Sequence, residues 1–152
     1  DFCKSMDIPV SIIGHTEEYS VELYSYTDFS SKDDKDRFRL MDISARGSNR
    51  DGAALRYIAE RLLKQPEKSK LLMLISDGQP AGSYGYYGTV AEADLREIVK
   101  EYKNKGIMFV AAAIGDDKEN IERIYGDAFL DITDLSKLPF LLVKRIEKEI
   151  RS

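Results

Sequence analysis

Asp77 is the residue whose position along the chain most directly implies chemistry. It follows the run Leu71-Leu72-Met73-Leu74-Ile75-Ser76 and precedes Gly78-Gln79-Pro80. An unbroken apolar run that stops at turn residues reads as a strand buried on both faces. Asp77 then lies just past the carboxyl end of that strand, where open parallel sheets place their ligand sites. A carboxylate there serves a metal, a phosphate or a reaction. Asp-Gly is also a favoured turn dipeptide, and the motif alone leaves both readings open.

Other residues with chemical potential are few. Asn49, Arg50 and Asp51 precede Gly52-Ala53-Ala54-Leu55 at the opening of a helical pattern. Asp51 stands where a first-turn acid is favoured by the helix dipole. The segment Gly82-Ser83-Tyr84-Gly85-Tyr86-Tyr87-Gly88 has no Walker lysine and no G-x-G-x-x-G start, so it is not a phosphate loop. It reads as a flexible surface loop or, through Tyr84, Tyr86 and Tyr87, as a contact surface, since tyrosine is enriched at interfaces. His15, the single histidine, reads as a polar strand-end residue. Cys3 lies on a helix end with no oxyanion loop in prospect, which argues against a Cys-His nucleophile pair.

Composition narrows the classes. The 152 residues suffice for one domain with a core, and 43% apolar with 33% charged residues is ordinary for a globular chain. A formal charge of −4 without a basic block argues against nucleic acid as the partner. One cysteine excludes an internal disulfide framework and a thiolate metal cluster. No apolar run in these residues approaches the ~20 residues of a membrane span, and none of them reads as a signal peptide. A reducing, cytoplasmic setting fits.

The elements that must position Asp77 alternate. Pro9–His15 and Ser20–Tyr26 read as a hairpin, with a polar loop over 28–37 and an ambiguous stretch from Phe38 to Ile43. Ala54, Leu55, Ile58, Ala59, Leu62 and Leu63 give a helix from Asp51 that ends before Pro66. After the strand at 70–76, Thr89-Val90-Ala91-Glu92 has the form of a capping box that starts a helix, and Gly106 stops it. Residues 107–114 form a second fully apolar strand. A short helix over 118–125, a short strand over 129–132 and a final helix capped by Asp134 complete the chain. Asp1 to Met6 read as the last turns of a helix. The pattern predicts an α/β fold, a Rossmann-like doubly wound, mostly parallel sheet with one antiparallel edge strand, 20–26, paired to 9–15.

The Asn49-Arg50-Asp51-Gly52-Ala53-Ala54-Leu55-Arg56 and Leu74-Ile75-Ser76-Asp77-Gly78-Gln79-Pro80 segments, with this element order, resemble a von Willebrand factor A domain across nearly the whole chain. More narrowly they look like the bacterial group of the CobT-type cobaltochelatase subunit and the NorD-type nitric oxide reductase activation proteins. Such domains carry a metal-ion-dependent adhesion site built from an Asp-x-Ser-x-Ser loop, a Thr and an Asp, hard oxygen ligands suited to Mg²⁺ or Mn²⁺. The resemblance implies Asp77 as the third-loop Asp ligand and Asn49 at the Thr position, with Asp51 close by either as a compensating metal ligand or only as the helix's first-turn acid. No Asp-x-Ser-x-Ser occurs here, and Asp42-Ile43-Ser44-Ala45-Arg46 lacks its last hydroxyl. The resemblance therefore implies that residues 1–152 form a single domain, N-terminally incomplete, whose first strand and loop lie upstream of Asp1. It also implies a non-enzymatic interaction domain, or a subunit of an ATP-dependent metal chelatase, working with a MoxR- or CobS-type AAA+ ATPase in metal insertion or metalloenzyme maturation.

The competing reading is a phosphatase or phosphotransfer domain with Asp77 as acyl-phosphate nucleophile. Haloacid-type phosphatases need Asp-x-Asp, where this chain has Asp77-Gly78-Gln79. A receiver domain wants a lysine after a later strand, where this chain has Gly115.

Overall fold

Ile107, Phe109, Val110, Ala111 and Ala112 all lie below a tenth exposure, so the strand that carries them is covered on both faces. This strand organises the molecule. The computed structural model describes residues 2–33, 35–44, 46–113, 118–130 and 137–151. In chain order the elements are α1 (Phe2–Ser5), β1 (Ile12–Glu17), β2 (Val21–Thr27), α2 (Asp36–Arg39), α3 (Asp51–Leu63), β3 (Lys70–Ser76), α4 (Gly88–Asn104), β4 (Ile107–Ala113), α5 (Lys118–Tyr125), β5 (Phe129–Leu130) and α6 (Leu138–Arg151). The ambiguous stretch before Ile43 is α2 followed by a short 3₁₀ turn, Leu40–Asp42. The α/β alternation is as the sequence predicts. The expected cap at Asp134 and strand residues 131–132 lie outside the described residues.

The strands form two ladders. β3, β4 and β5 pair in parallel in that order, with Lys70 opposite Ile107 and Ser76 opposite Ala113. β1 and β2 make an antiparallel hairpin from Glu17 opposite Val21 to Ile12 opposite Thr27. Among the described residues no ladder bonds join the hairpin to the parallel sheet. The antiparallel pair is therefore present but forms its own two-stranded unit. β1 also runs later than its apolar run predicts, so His15 sits inside the strand and not at its end.

The core explains why these residues make these elements. Leu55, Ala59 and Leu62 on α3 and Leu95, Ile98 and Tyr102 on α4 meet Leu72 and Leu74 of β3. Full burial of each such aliphatic side chain contributes roughly 1.5–3 kcal/mol. The expectation that β3 is buried on both faces is corrected. Leu72 and Leu74 are buried, but the opposite face carries half-buried Leu71 and Met73 and, at 52% exposure, Ile75. Apolarity on both faces marks a strand that can be covered twice, and here helices cover one. The capping box is also corrected. α4 starts at Gly88, its cap residue Tyr87 makes no side-chain cap bond, and Glu92 instead accepts Arg96 and Arg123. Gly106 ends the helix region with φ +89°, a conformation that costs a glycine little.

Candidate functional site

The first residue of α3 ties the two ladders together. Asp51 is 2% exposed, and its Oδ1 lies 2.8 Å from Nε2 of His15 on β1. Its Oδ2 accepts from the Ser76 hydroxyl at the end of β3, 3.5 Å away, and that hydroxyl in turn accepts from Gly78 N at 3.2 Å. A buried carboxylate needs such partners, because transfer out of water without them is costly. Asp77 follows outward on the exposed side of Ser76. Its Oδ1 accepts from Gln79 N at 3.0 Å, the self-bonded turn that Asp favours, and Gly78 takes φ +80°. Asp77 is thus both turn residue and surface carboxylate. Asn49 is half-buried, and its carbonyl accepts from Asp51 N at 2.9 Å and Ala81 N at 3.3 Å. That carbonyl fastens the loop after Asp77 to the loop before α3.

A second network holds the tyrosine loop. Glu17, at the end of β1 and 6% exposed, accepts from Arg50 Nε and Ser83 N, each at 3.1 Å. Arg50 also donates to the Ser83 carbonyl and lies over the Tyr86 ring, 4.5 Å from its centroid. Tyr86 is 7% exposed; its hydroxyl donates to Asp94 at 2.8 Å and accepts from Gly52 N at 3.2 Å. Asp94 is clasped by both amino groups of Arg56. Burial, then the bond to Asp94, pushes the Tyr86 phenol above its ordinary value. Burial pushes the Asp94 carboxyl up, but Arg56 and Tyr86 more than offset it and hold it below the usual carboxylate range. Gly52 is where it is because a Cβ would collide with the Asp94 carboxylate and the Tyr86 hydroxyl.

The structure therefore separates the three tyrosines. Tyr84 is fully exposed, and Tyr87 is exposed at 66%. Tyr86, expected at the contact surface, is instead a buried post under the loop. The loop is a tied structure, closed by the bridge between Ala81 and Tyr87 and by the bond from Gly82 N to the Tyr86 carbonyl, 2.7 Å. Tyr84 holds φ +56°, unusual for a bulky residue. Sequence reasoning missed Glu17, Arg50 and Asp94. No periodicity marks them, since their partners lie 33 to 66 residues away or on another helix.

Asp77 and Asn49 offer hard oxygens of the kind Mg²⁺ or Mn²⁺ takes. Both carboxylate oxygens of Asp51 are already bonded, which fits a supporting role behind them. Among the described residues no group of three or more His, Cys, Asp or Glu is gathered in the way that holds a metal. The donors present are of the right chemistry at two positions and do not by themselves complete a coordination shell.

This fold and site define a class. The chain matches the von Willebrand factor type A domain family over residues 3–138 and belongs to it. Within it, the relatives point to a NorD-like group. Protein NorD of Brucella suis is 32% identical over 95 residues, covering 61% of this chain and 15% of that protein. PA0525 of Pseudomonas aeruginosa is 33% identical over 112 residues, 71% of this chain and 18% of its own length. YojO of Bacillus subtilis is 28% identical over 115 residues, 72% and 18%. The chain thus spans less than a fifth of the curated relatives it matches. Two solved structures of proximal thread matrix protein 1 from mussel byssus share the fold. They have TM-scores of 0.60 and 0.58 at 18% and 16% identity, over 91% of this chain and 36% and 35% of theirs. The second of these has a zinc-occupied metal-ion-dependent adhesion motif.

Proposed function

We propose that this domain is a non-enzymatic protein-interaction module with a metal-dependent face, serving a NorD-like protein. Its partner is an AAA+ ATPase of the MoxR or CobS type, and the process served is metal insertion or metalloenzyme maturation in the cytoplasm, cobaltochelatase-like or nitric oxide reductase activation-like. The observation that carries this reading is the surface carboxylate of Asp77. It follows the carboxyl end of β3, is backed by the Asp51–Ser76 bond, and shares its loop region with the exposed rings of Tyr84 and Tyr87. A bulky residue held at positive φ and left in solvent is strain that a packing role does not explain. The zinc-bearing fold neighbour and the NorD relatives add support.

In this reading Asp77 and Asn49 hold Mg²⁺ or Mn²⁺, and Asp51 fixes the loop behind them through His15 and Ser76. When bound, the ion supplies an open position for a partner carboxylate. A complete shell would need further oxygen ligands, of the kind an Asp-x-Ser-x-Ser loop would supply. The test is association with the purified ATPase in Mg²⁺ against EDTA. Binding that needs the ion supports the reading, and binding indifferent to EDTA removes the metal from it.

A further inference from the structure

A second surface lies away from Asp77. α4 ends just before β4 begins, and Gly126 and Asp127 precede β5, so the space between α4 and α5 opens toward the amino ends of these strands. Asp77 follows the carboxyl end of β3, which runs parallel to both. A groove of about 380 Å³ occupies that space. Its floor is apolar: Val99, Ile124 and Tyr125, all buried. Its rim is basic. Arg96, Lys100 and Lys103 project from one face of α4, at the three- and four-residue spacings that align side chains, and Arg123 faces them from α5.

The acids at this rim do not balance the cations. One carboxylate, Glu92, answers two guanidiniums, Arg96 at 3.0 Å and Arg123 at 2.6 Å. Lys103 pairs with Asp127 at 2.7 Å. Lys100 is exposed and has no ion pair among the described residues. Four cations and two carboxylates leave a local positive excess on a chain whose formal charge is −4.

We propose that this groove docks a short acidic, amphipathic segment of a protein partner, on a surface separate from the one bearing Asp77. The partner's carboxylates meet Lys100 and the two half-neutralised arginines, and one apolar side chain seats on Val99, Ile124 and Tyr125. Charge complementarity at a rim around a desolvated apolar centre is the usual division of labour in an interface. A long polyanion fits less well. Glu97, Glu101 and Glu122 are exposed on the same two helices and would repel it, while a short segment can sit between them. A small anion would leave the apolar floor unused.

The probe is a fluorescently labelled glutamate-rich peptide with a single phenylalanine, followed by anisotropy on the full chain. We expect salt-sensitive binding that falls on the order of tenfold or more in Lys100→Glu/Arg123→Glu and is unchanged in Asp77→Ala. Lys100→Glu alone, which breaks no ion pair of the described residues, should lose a smaller share, and circular dichroism melts confirm that both variants are folded. Three results would overturn the proposal: no binding of the peptide, equal binding by the double variant, or tighter binding of a single-stranded RNA oligonucleotide than of the peptide. Because Asp77→Ala is expected to be silent here, failure of the metal-dependent face and failure of this groove are read separately.

Discussion

The Nε2 of His15 and the Oδ1 of Asp51, 36 residues apart in the chain, lie 2.8 Å apart and join the β1–β2 hairpin to the first turn of α3. Through the other oxygen of Asp51 the same contact reaches Ser76 and the loop that carries Asp77. This buried carboxylate therefore links two ladders that share no ladder hydrogen bonds among the described residues, beside the contacts that Glu17 of β1 makes with Arg50 and Ser83.

Asp51→Ala should accordingly loosen the hairpin more than the parallel sheet. It leaves His15 and Ser76 without their partner, a loss of roughly 1–3 kcal/mol. Amide hydrogen exchange is the measurement. Faster exchange in β1 and β2, with β4 still protected, is expected; uniform exchange across both ladders would show that the hairpin does not depend on Asp51.

Tyr86→Phe should destabilise the domain by about 1–3 kcal/mol, because Gly52 N and Asp94 lose a buried partner. The same tyrosine gives stability a pH dependence. Its folded-state pKa is raised above the ordinary 10.0, so the folded state keeps its proton where the unfolded state has lost it. Stability is then fully present below about pH 10 and falls as pH rises beyond it. Urea titrations at rising pH should show that fall in the parent and a shallower one in Tyr86→Phe. Equal slopes would remove Tyr86 as its source.

On the acid side the sign reverses. Asp94 is held below its ordinary value, so its contribution is present above the unfolded pKa and is lost as pH falls through the folded one. Arg56→Gln, which removes the clasp, should weaken that acid dependence. An unchanged acid limb would mean that the Arg56 contact contributes nothing in solution.

Tyr125 carries a buried hydroxyl with no hydrogen-bond partner among the described residues. Replacing an unsatisfied polar group by an apolar one of the same shape is near neutral or stabilising. Tyr125→Phe should therefore melt at or slightly above the parent temperature in calorimetry. A clear drop would reveal a partner for that hydroxyl.

The parts of this molecule that were legible in the sequence are those governed by local pattern. The apolar runs at β3 and β4, the i, i+3, i+4 spacing on α3 and Gly106 all announce their elements, and the quoted loop motifs around Asn49 and Asp77 announce the family. What the sequence hid depends on distant partners. Nothing around Tyr86 distinguishes it from Tyr84 and Tyr87; the difference is made by Asp94 and Gly52, on two other segments. Thr89 and Glu92 have capping-box spacing, yet Arg96 and Arg123 claim Glu92. The uncovered face of β3 was unreadable because apolar residues report what can be buried, and the cover is decided by other elements.

The face around Asp77 is tested most directly by the affinity of the protein for a purified MoxR- or CobS-type ATPase, in Mg²⁺, for the parent, Asp77→Ala and Tyr84→Ala. Both side chains are exposed and neither holds the core, so melting temperatures should stay within a few degrees of the parent. We expect each variant to bind on the order of tenfold or more weakly, as hot-spot residues do. Parent-like binding in both variants, or a phosphatase turnover abolished by Asp77→Ala, would contradict the account.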